Sequence, residues 1–479
     1  MLFNSFPFLI FLPTVWLLYW FVTQRSVRLQ NALIVVASYV FYGWWDWRFL
    51  CLIMLSTVWA WALALADERW ERGRKARVTL SIVLNLGLLG VFKYFNFFAE
   101  EGIALLNALG FQAHPVTLKV ILPIGISFYT FQALSYTIDV YRKQVRPTRD
   151  IVAFAAYVSF FPQLIAGPIE RATNLLPQFL SRRTFDYARA VDGCRQMLWG
   201  FFKKMVIADN CAVMVQALVD DNVSAPGLAK WLGMMCFAFQ VYGDFSGYSD
   251  ITIGCSRLFG IHLVRNFAYP YFSRNIAEFW QRWHMSLMTW FRDYLYIPLG
   301  GNRVPRWKQI RNTFFVFLFS GLWHGANWTY ILFGLVQGVF FLPFMLMGMH
   351  RKYKDIVAVD RFLPSLRELS QMLATAMLLT LSWPIFRAPT ITDTCRWFRD
   401  MFTFAGGWRF EFPEACRDFW TVVGFVAAMM CVEWVNRREQ HGLARLPRWR
   451  WARLIIYWGI VYVVAKHFGV QQAFIYFQF

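Results

Sequence analysis

The sequence has little charge and none of the short motifs that mark the common soluble enzymes. Only 16% of its 479 residues are charged, against about 25% in an average soluble domain, while 58% are hydrophobic and 20% are aromatic. No Walker A loop, G-x-G-x-x-G, H-E-x-x-H or G-x-S-x-G segment occurs. These absences exclude the standard nucleotide-binding, zinc-protease and serine-hydrolase sites, and the composition predicts a polytopic membrane protein.

Cysteine patterns and metal-ligand patterns are also missing. The eight cysteines form no C-x-x-C pair and lie mostly in apolar sequence, so we interpret them as small core residues, with neither a disulfide framework nor a zinc site. His284 and His324 have no further cysteine or acidic ligands at a standard spacing. We therefore expect no metal and no bound cofactor.

The chain is basic, with 48 Lys and Arg residues, 28 Asp and Glu residues and a formal charge of +20. The basic residues fall in short clusters between apolar runs, as the positive-inside rule expects for cytoplasmic loops. No basic aromatic domain stands apart from those runs, so we expect no nucleic-acid partner. The strongest cluster, residues 437–453, is interpreted as cytoplasmic. If it lies at the mouth of a tunnel into the protein, its positive charge would also attract a nucleotide phosphate.

Hydrophobic runs predict an all-α protein of about eleven membrane segments. The first run, residues 6–22, is preceded by no Lys or Arg and followed by Arg25 and Arg28, which indicates a retained span with an external N-terminus. The last run leaves the C-terminus external as well. The other clear spans are residues 31–45, 48–66, 80–98, 371–386, 416–435 and 454–470.

The middle of the chain, residues 116–348, has proline and glycine inside segments apolar enough to lie in the membrane. Broken helices are tolerated there only where protein or a water-filled cavity satisfies the freed backbone groups. Residues 313–348 contain no Lys, Arg, Asp or Glu, and as one helix they would be about 54 Å long, beyond a hydrocarbon core of about 30 Å. We expect a break at residues 321–327. The chain is then one domain, with N-terminal spans (1–115), this cavity-forming core, and C-terminal spans with an external tail (349–479).

Two histidines lie in this core. His284 ends the segment E-F-W-Q-R-W-H, and His324 lies in G-L-W-H-G. A histidine in an apolar segment is costly in a bilayer and is a functional-site candidate by default, and a desolvated neutral imidazole suits general base catalysis. The alternative is a structural histidine that is hydrogen-bonded to backbone across a helix break. Glu278 and Arg282, four residues apart, are interpreted as a supporting ion pair.

Five motifs occur in order along nearly the whole chain. They are P-I-G-I-S-F-Y-T-F-Q (123–132), F-F-P-Q-L-I-A-G-P-I (160–169), Y-G-D-F-S-G-Y-S-D (242–250), F-W-Q-R-W-H (279–284) and G-L-W-H-G (321–325). Together they resemble the membrane-bound O-acyltransferase family, and most closely its bacterial alginate O-acetylation branch. The opening M-L-F-N-S and the closing F-I-Y-F-Q-F also resemble that branch.

The resemblance implies an all-α fold, with some broken or re-entrant segments, that encloses a transmembrane tunnel. It implies that His324 is the essential general base and that His284 assists it; eukaryotic lipid-modifying relatives carry Asn at the position of His284. It further implies a bacterial inner-membrane protein with periplasmic termini. Acetyl-CoA would be the cytoplasmic donor. A separate periplasmic partner resembling SGNH hydrolases would move the acetyl group to an exopolysaccharide or cell-wall glycan. The polysaccharide synthesis machinery and membrane lipid would be further partners.

Tyr476 is the only hydroxyl nucleophile in the closing hexapeptide, residues 474–479. The hexapeptide resembles the C-terminal motif of a small partner peptide in the teichoic-acid D-alanylation relatives, where a tyrosine looks like the acyl relay. A phenol with an ordinary pKa of about 10 needs an adjacent base to attack a thioester, and a tunnel histidine would supply one. The alternative is an aromatic group at the membrane interface.

Other functions stay open on these residues. A D-alanyl or long-chain acyltransferase of the same family would share the fold and the histidines. A transporter would also have broken helices and polar groups near the middle of the membrane. It would usually show repeat symmetry, however, and no convincing internal repeat occurs in this chain.

Overall fold

The computed structural model describes residues 1–114, 118, 121–221, 225–349, 352–404, 406–407, 411–468, 472 and 474–475. Within these ranges every regular element is helical, which confirms the predicted all-α class. The α-helices are α1 (Phe6–Leu17), α2 (Val27–Asp46), α3 (Leu50–Arg69), α4 (Arg74–Leu89), α5 (Phe95–Ala108), α6 (Ile126–Tyr141), α7 (Ile151–Ser159), α8 (Phe161–Leu164), α9 (Ala172–Leu180), α10 (Tyr187–Phe201), α11 (Asp209–Val215), α12 (Gly227–Leu258), α13 (Ile276–Arg282), α14 (Met285–Phe291), α15 (Arg306–His324), α16 (Trp328–Leu346), α17 (Leu366–Arg387), α18 (Ile391–Thr403), α19 (Phe419–Val435) and α20 (Arg450–Lys466).

Turns of wider, π-type helix continue several of these helices. Leu18–Val22 follows α1, Gly90–Tyr94 joins α4 to α5, Gln216–Asp220 follows α11, and Arg292–Tyr296 follows α14. The turn Phe202–Ala208 joins α10 to α11 without interruption. Such turns are rare in proteins overall, and those that occur are often at functional sites. The turn at 202–208 contains two lysines, Lys203 and Lys204.

Apolar helices of membrane-spanning length occur at the predicted spans 31–45, 48–66, 80–98, 371–386 and 416–435, whereas the predicted span 454–470 overlaps the shorter helix α20. Among the described residues, five helical stretches are long and apolar enough to cross a membrane, and Phe6–Val22 is a shorter apolar one. The five stretches are Val27–Arg69, Arg74–Ala108, Trp328–Leu346, Leu366–Arg387 and Glu414–Val435. The expected spans at 31–45 and 48–66 correspond to α2 and α3, which are separated by a short turn. Many large apolar side chains on these helices are exposed, as lipid-facing side chains would be.

The long uncharged run breaks at the predicted place. Helix α15 ends at His324 and α16 begins at Trp328. The two helices pack closely because a small residue lies in their interface: a Cβ on Gly321 would be 2.2 Å from the Tyr330 carbonyl oxygen. Close backbone approach at small residues is a common way for membrane helices to associate.

The chain divides into two compact units. The first consists of residues 1–193 and 255–264, and the second of residues 194–254 and 265–479. Buried polar contacts connect the helices within each unit.

In the first unit, hydroxyl and amide side chains join α3, α4 and α6. Ser56 donates to the Asn85 side-chain oxygen at 3.0 Å, and Ser81 donates to Thr137 at 3.1 Å. All four side chains are buried. Interhelical hydrogen bonds of this kind satisfy polar groups that water cannot reach.

In the second unit, α12 lies against the turn Phe202–Ala208 and the end of α10. Gly243 and Gly247, four residues apart on α12, form the contact: a Cβ at either position would lie 2.9 Å from a carbonyl oxygen, of Lys203 and Gly200 respectively. The motif G-D-F-S-G is therefore a small-x-x-x-small packing surface. It brings the backbone around residues 200–204 directly onto α12.

Candidate active site

His284 lies at the junction of α13 and α14, where the chain changes direction. Its φ of 43° and ψ of 53° fall in the left-handed region, which few residues other than Gly, Asn, Asp and His enter. The conformation costs about 1–2 kcal/mol and persists where the surrounding structure enforces it.

Asn266 supplies much of that enforcement. Its backbone carbonyl accepts a hydrogen bond from Met285 N at 2.9 Å, and its side-chain oxygen accepts from Ser286 N at 3.3 Å and from Ser286 Oγ at 2.9 Å. On the other side of the junction, Ala268 N donates to the Arg282 carbonyl at 2.9 Å. The backbone, rather than the imidazole, makes the bonds that hold this turn.

The His284 ring is 1% exposed. Neither of its nitrogens has a hydrogen-bond partner among the described residues. Within that part of the chain, the alternative of a structural histidine bonded to backbone therefore has no support at this position.

Helix α13 is held in place by the ion pair predicted within it. Arg282 Nη2 lies 2.9 Å from Glu278 Oε1, which confirms the predicted pair, and Arg274 Nη2 lies 3.0 Å from the same oxygen. Both arginines also donate to the Asp355 carbonyl, at 2.7 and 3.0 Å. Asn275 caps the helix by accepting from Glu278 N at 2.8 Å. These bonds hold α13, and with it the backbone next to His284, and none of them is made to an imidazole.

His324 is the last residue of α15 and is 5% exposed. Gly325 follows in an extended conformation, and a Cβ there would lie 2.4 Å from the Tyr330 ring. Asn327 then caps α16 by accepting from Thr329 N at 3.1 Å. The glycine lets the aromatic ring close against the helix end, so His324 stays buried at an irregular turn.

The structure brings the two histidines together around one indole. The Trp323 ring centroid lies 5.3 Å from that of His284 and 5.2 Å from that of His324. Residues that are forty positions apart in sequence thus share a neighbour in space.

Three further aromatic rings contact the pair. Phe245 of α12 contacts His284 edge-on at 4.6 Å between centroids, and Phe386 of α17 contacts His324 at 5.2 Å. Phe267 stacks on His284 at 6.4 Å. Rings of this kind exclude water, and an apolar site favours the neutral imidazole that accepts a proton.

A cavity of about 700 Å³ lies along the N-terminal part of α15. Its polar lining includes Asn302, Arg306 and Gln309, and its apolar lining includes Val316 and Phe317. Phe317 precedes His324 by seven residues, which is two turns and about 10 Å along the same face of an α-helix. The cavity is large enough for part of a cofactor-sized molecule.

Tyr476 lies outside the described residues. The segment before it is described at Gln472, Phe474 and Ile475. The Phe474 ring lies 5.9 Å from Phe245, the ring that also contacts His284. The catalytic roles of His324, His284 and Tyr476 stay predictions at this point.

No group of three or more His, Cys, Asp or Glu residues that could hold a metal ion occurs in the part of the chain that the structure describes. The arrangement at the two histidines is instead suited to proton transfer. One imidazole can remove a proton from a hydroxyl, and the other can orient or polarise the group under attack.

Two buried lysines in the turn Phe202–Ala208 were missed by the sequence reasoning. Lys203 is 3% exposed and lies 2.6 Å from Asp250, and Lys204 is 1% exposed and lies 2.7 Å from Asp244. The signal was present in the sequence as two adjacent lysines inside an apolar run, W-G-F-F-K-K-M-V-I-A. Two adjacent charges in such a run need buried acidic partners.

The helical fold, the apolar helices and the buried histidine pair define a multi-pass membrane protein with an internal site. A family model described as the membrane-bound O-acyltransferase family matches residues 32–382. The chain therefore belongs to the membrane-bound O-acyltransferase family and is an O-acyltransferase, which confirms the resemblance seen in its motifs.

Proteins that are similar in sequence to this chain have names that describe three different activities. The chain is 40% identical over 450 residues to the probable alginate O-acetylase AlgI of Pseudomonas putida, covering 93% of this chain and 89% of the relative. It is 34% identical over 433 residues to the peptidoglycan O-acetyltransferase of Helicobacter pylori, with coverages of 84% and 80%. It is 31% identical over 229 residues to the teichoic acid D-alanyltransferase of Streptococcus thermophilus, with coverages of 45% and 55%.

Proposed function

We propose that this protein transfers acetyl groups from acetyl-CoA for the O-acetylation of a cell-envelope polysaccharide. The observation that carries the proposal is the pair of buried histidines on Trp323, with a cavity of mixed polar and apolar lining that begins two helical turns away along α15. The similarity to alginate and peptidoglycan O-acetylating proteins along most of the chain supports the choice of acetyl group and of polysaccharide. The D-alanyltransferase relative matches less than half of the chain.

The cavity suits the donor. Arg306 and Gln309 lie at its polar end, near the basic start of α15, R-W-K-Q-I-R, where the phosphates of coenzyme A would find positive charge. Phe317 and Phe341, whose ring centroids lie 5.5 Å apart, line its apolar part. A donor in this orientation would direct its thioester toward the end of α15, where His324 lies.

The chemistry is the exchange of a thioester for an ester. His324 takes the proton of the attacking hydroxyl, the hydroxyl oxygen forms a bond to the acetyl carbon, and the carbon–sulfur bond breaks. The coenzyme A thiolate leaves with the proton that His324 had taken, while His284 orients the reacting groups. We propose the Tyr476 phenol as the first acceptor, and a hydroxyl of the partner or polymer as the second.

The acceptor side is proposed to be periplasmic. With both termini outside the bacterial inner membrane, the tail would meet a partner resembling SGNH hydrolases, which would complete transfer to the polymer next to the polysaccharide synthesis machinery. Holding the donor and the acceptor in one site from opposite faces of the membrane would supply much of the rate advantage.

The test is labelling of the purified protein with radioactive acetyl-CoA. We expect label on the wild-type protein, loss of that label in Tyr476→Phe, and competition by unlabelled acetyl-CoA but not by a D-alanyl thioester. A protein that neither hydrolyses acetyl-CoA nor becomes acylated would contradict the proposal and favour a transporter. Wild-type acetyl transfer by Tyr476→Phe would rule out the tyrosine relay and leave direct transfer to the partner.

A further inference from the structure

A buried ion cluster in the second unit lies against the C-terminal segment of the chain. Lys204 Nζ is 2.8 Å from Asp209 Oδ1 and 2.7 Å from Asp244 Oδ1. The three side chains are between 1% and 2% exposed. Lys204 also lies over the Tyr248 ring, 5.5 Å from its centroid. A lysine and two carboxyl groups are therefore held where water does not reach them.

Buried charge is costly unless hydrogen bonds compensate it. The C-terminal segment supplies such bonds. Ile475 N donates to Asp244 Oδ2 at 2.6 Å, and Lys204 Nζ donates to the Gln472 carbonyl at 3.1 Å. Among the described residues, the Asp244 carboxylate is contacted by Lys204 and by this one tail amide. The segment thus completes the cluster through its backbone.

Ring contacts lead from the same segment to the histidine site. Phe474 is fully buried and lies 4.3 Å from Tyr248 and 5.9 Å from Phe245. Phe245 in turn lies 4.6 Å from His284. Because Asp244, Phe245 and Tyr248 all belong to α12, one helix holds the tail backbone and the wall of the histidine site together.

We propose that Lys204 and Asp244 are positioning residues for acyl transfer, which fasten the segment 472–475 beside the wall of the His284 site. The proposal rests on the proposed function for the identity of the reaction. The two residues act through the tail and contact neither donor nor acceptor. Tyr476, the proposed acyl acceptor, follows Ile475 directly in the sequence.

If the ion cluster only stabilised the fold as a whole, removing it would not affect the C-terminal segment more than other regions. Matched variants distinguish that role from the fastening of the segment. Ile475→Pro removes the N–H that Asp244 accepts, whereas Ile475→Val keeps the N–H and almost all of the side chain. Lys204→Met removes the cation. Lys230→Met is its control, since Lys230 is equally buried and forms an ion pair with Asp400 at 2.6 Å, away from the tail contacts described above.

The measurement is hydrogen–deuterium exchange of the full-length protein in lipid nanodiscs, read on C-terminal peptides, together with steady-state acetyl transfer. Loss of a hydrogen bond to a buried charge should speed exchange of the tail amides by about tenfold or more in Ile475→Pro and Lys204→Met. In the same two variants kcat should fall by about tenfold, while KM for acetyl-CoA changes by less than about twofold. Ile475→Val and Lys230→Met should leave tail exchange as in wild type.

Tail exchange at the wild-type rate in folded Ile475→Pro would overturn the proposal, and so would equal acceleration in Ile475→Val. If Lys204→Met does not fold, the Ile475 pair decides the matter alone. A wild-type protein that is inactive with acetyl-CoA would contradict the proposed function, while the exchange rates would still decide whether the cluster fastens the tail.

Discussion

The two histidines and the two buried lysines of the second unit are surrounded in opposite ways. His284 and His324 are enclosed by aromatic rings and share Trp323. Lys203 and Lys204 each lie within 2.8 Å of a carboxylate. The ring contacts of the two histidines are thus made with aromatic side chains, whereas each of the two lysines faces carboxyl groups.

The difference indicates a division of tasks. A group that exchanges protons during a reaction benefits from an environment in which its neutral form is ready to accept one. A buried ion with matched partners is costly to disturb, because removing one partner leaves the other charge buried alone. The first arrangement suits chemistry, and the second suits the holding of backbone in place.

The two lysines differ in turn. Lys203 faces Asp250, which also accepts from Gln196 at 2.8 Å, and it lies 3.9 Å from Glu433. These partners all belong to helices. Lys204 faces Asp209 of α11 and Asp244 of α12, and it also donates to the Gln472 carbonyl. Of these two neighbouring lysines on one π-type turn, Lys204 thus also binds the C-terminal segment.

The largest expected effect is on the histidine side of the comparison. His324→Ala removes the proposed general base and should lower acetyl transfer by about 10²–10⁴-fold, the usual contribution of acid–base catalysis. Transfer from labelled acetyl-CoA measures it, with His467→Ala, at the end of α20, as the control histidine. Activity within twofold of wild type in a folded His324→Ala protein would contradict the proposed role.

A large effect on stability is expected on the lysine side. Lys203→Met leaves Asp250 as a buried charge without its cation and should lower the free energy of unfolding by about 3–5 kcal/mol. Denaturant or thermal unfolding in detergent would show it. Adding Asp250→Asn should recover part of the loss, and tail exchange should stay at the wild-type rate in the double variant. A double variant no more stable than the single one would argue against matched ions.

A smaller effect separates the two histidines. The same substitution, to Asn, is made at 284 and at 324. Asn tolerates the left-handed backbone of residue 284 and keeps a polar group there, so His284→Asn should retain about tenfold more activity than His324→Asn if it orients rather than transfers protons. Parallel kcat measurements test this. The reverse order would exchange the two proposed roles.

The smallest expected effect is a pH dependence at the control pair. Burial favours the neutral acid at Asp400, but hydrogen bonds from Lys230 and Arg399 outweigh it and lower the pKa of Asp400. A lowered carboxyl pKa stabilises the fold above the unfolded value of about 4, and the stabilisation is lost as the pH falls further. The difference in Tm between wild type and Lys230→Met should therefore shrink as the pH is lowered from 7 toward 3. A difference independent of pH would show that the ion pair contributes little.

Much of the fold was predictable from local pattern. Apolar runs of sufficient length indicated the spans, and the excessive length of the uncharged run 313–348 indicated its break, because a single helix of that length would exceed the membrane. The spacing of Glu278 and Arg282 indicated their ion pair, because four residues make just over one helical turn. Each inference depended on neighbours in sequence.

The candidate site was predictable only in part. His284 and His324 stood out because histidine is rare in apolar segments, but nothing local placed them on the two sides of Trp323. The motif G-D-F-S-G stands in the sequence only as part of the family motif at residues 242–250. In the structure it is the glycine contact that brings Lys203 and Lys204 onto α12.

By itself, the sequence determined that this is a helical membrane protein, which histidines are costly to bury, and which family its motifs resemble. Those properties depend on composition, on periodicity and on short ordered motifs. Only the tertiary structure decided that the histidines share an indole, that two adjacent lysines have separate sets of acids, and that Asp244 binds the backbone of the tail 231 residues away. Contacts at that separation depend on how helices pack, and packing is a property of surfaces that meet only when the chain has folded.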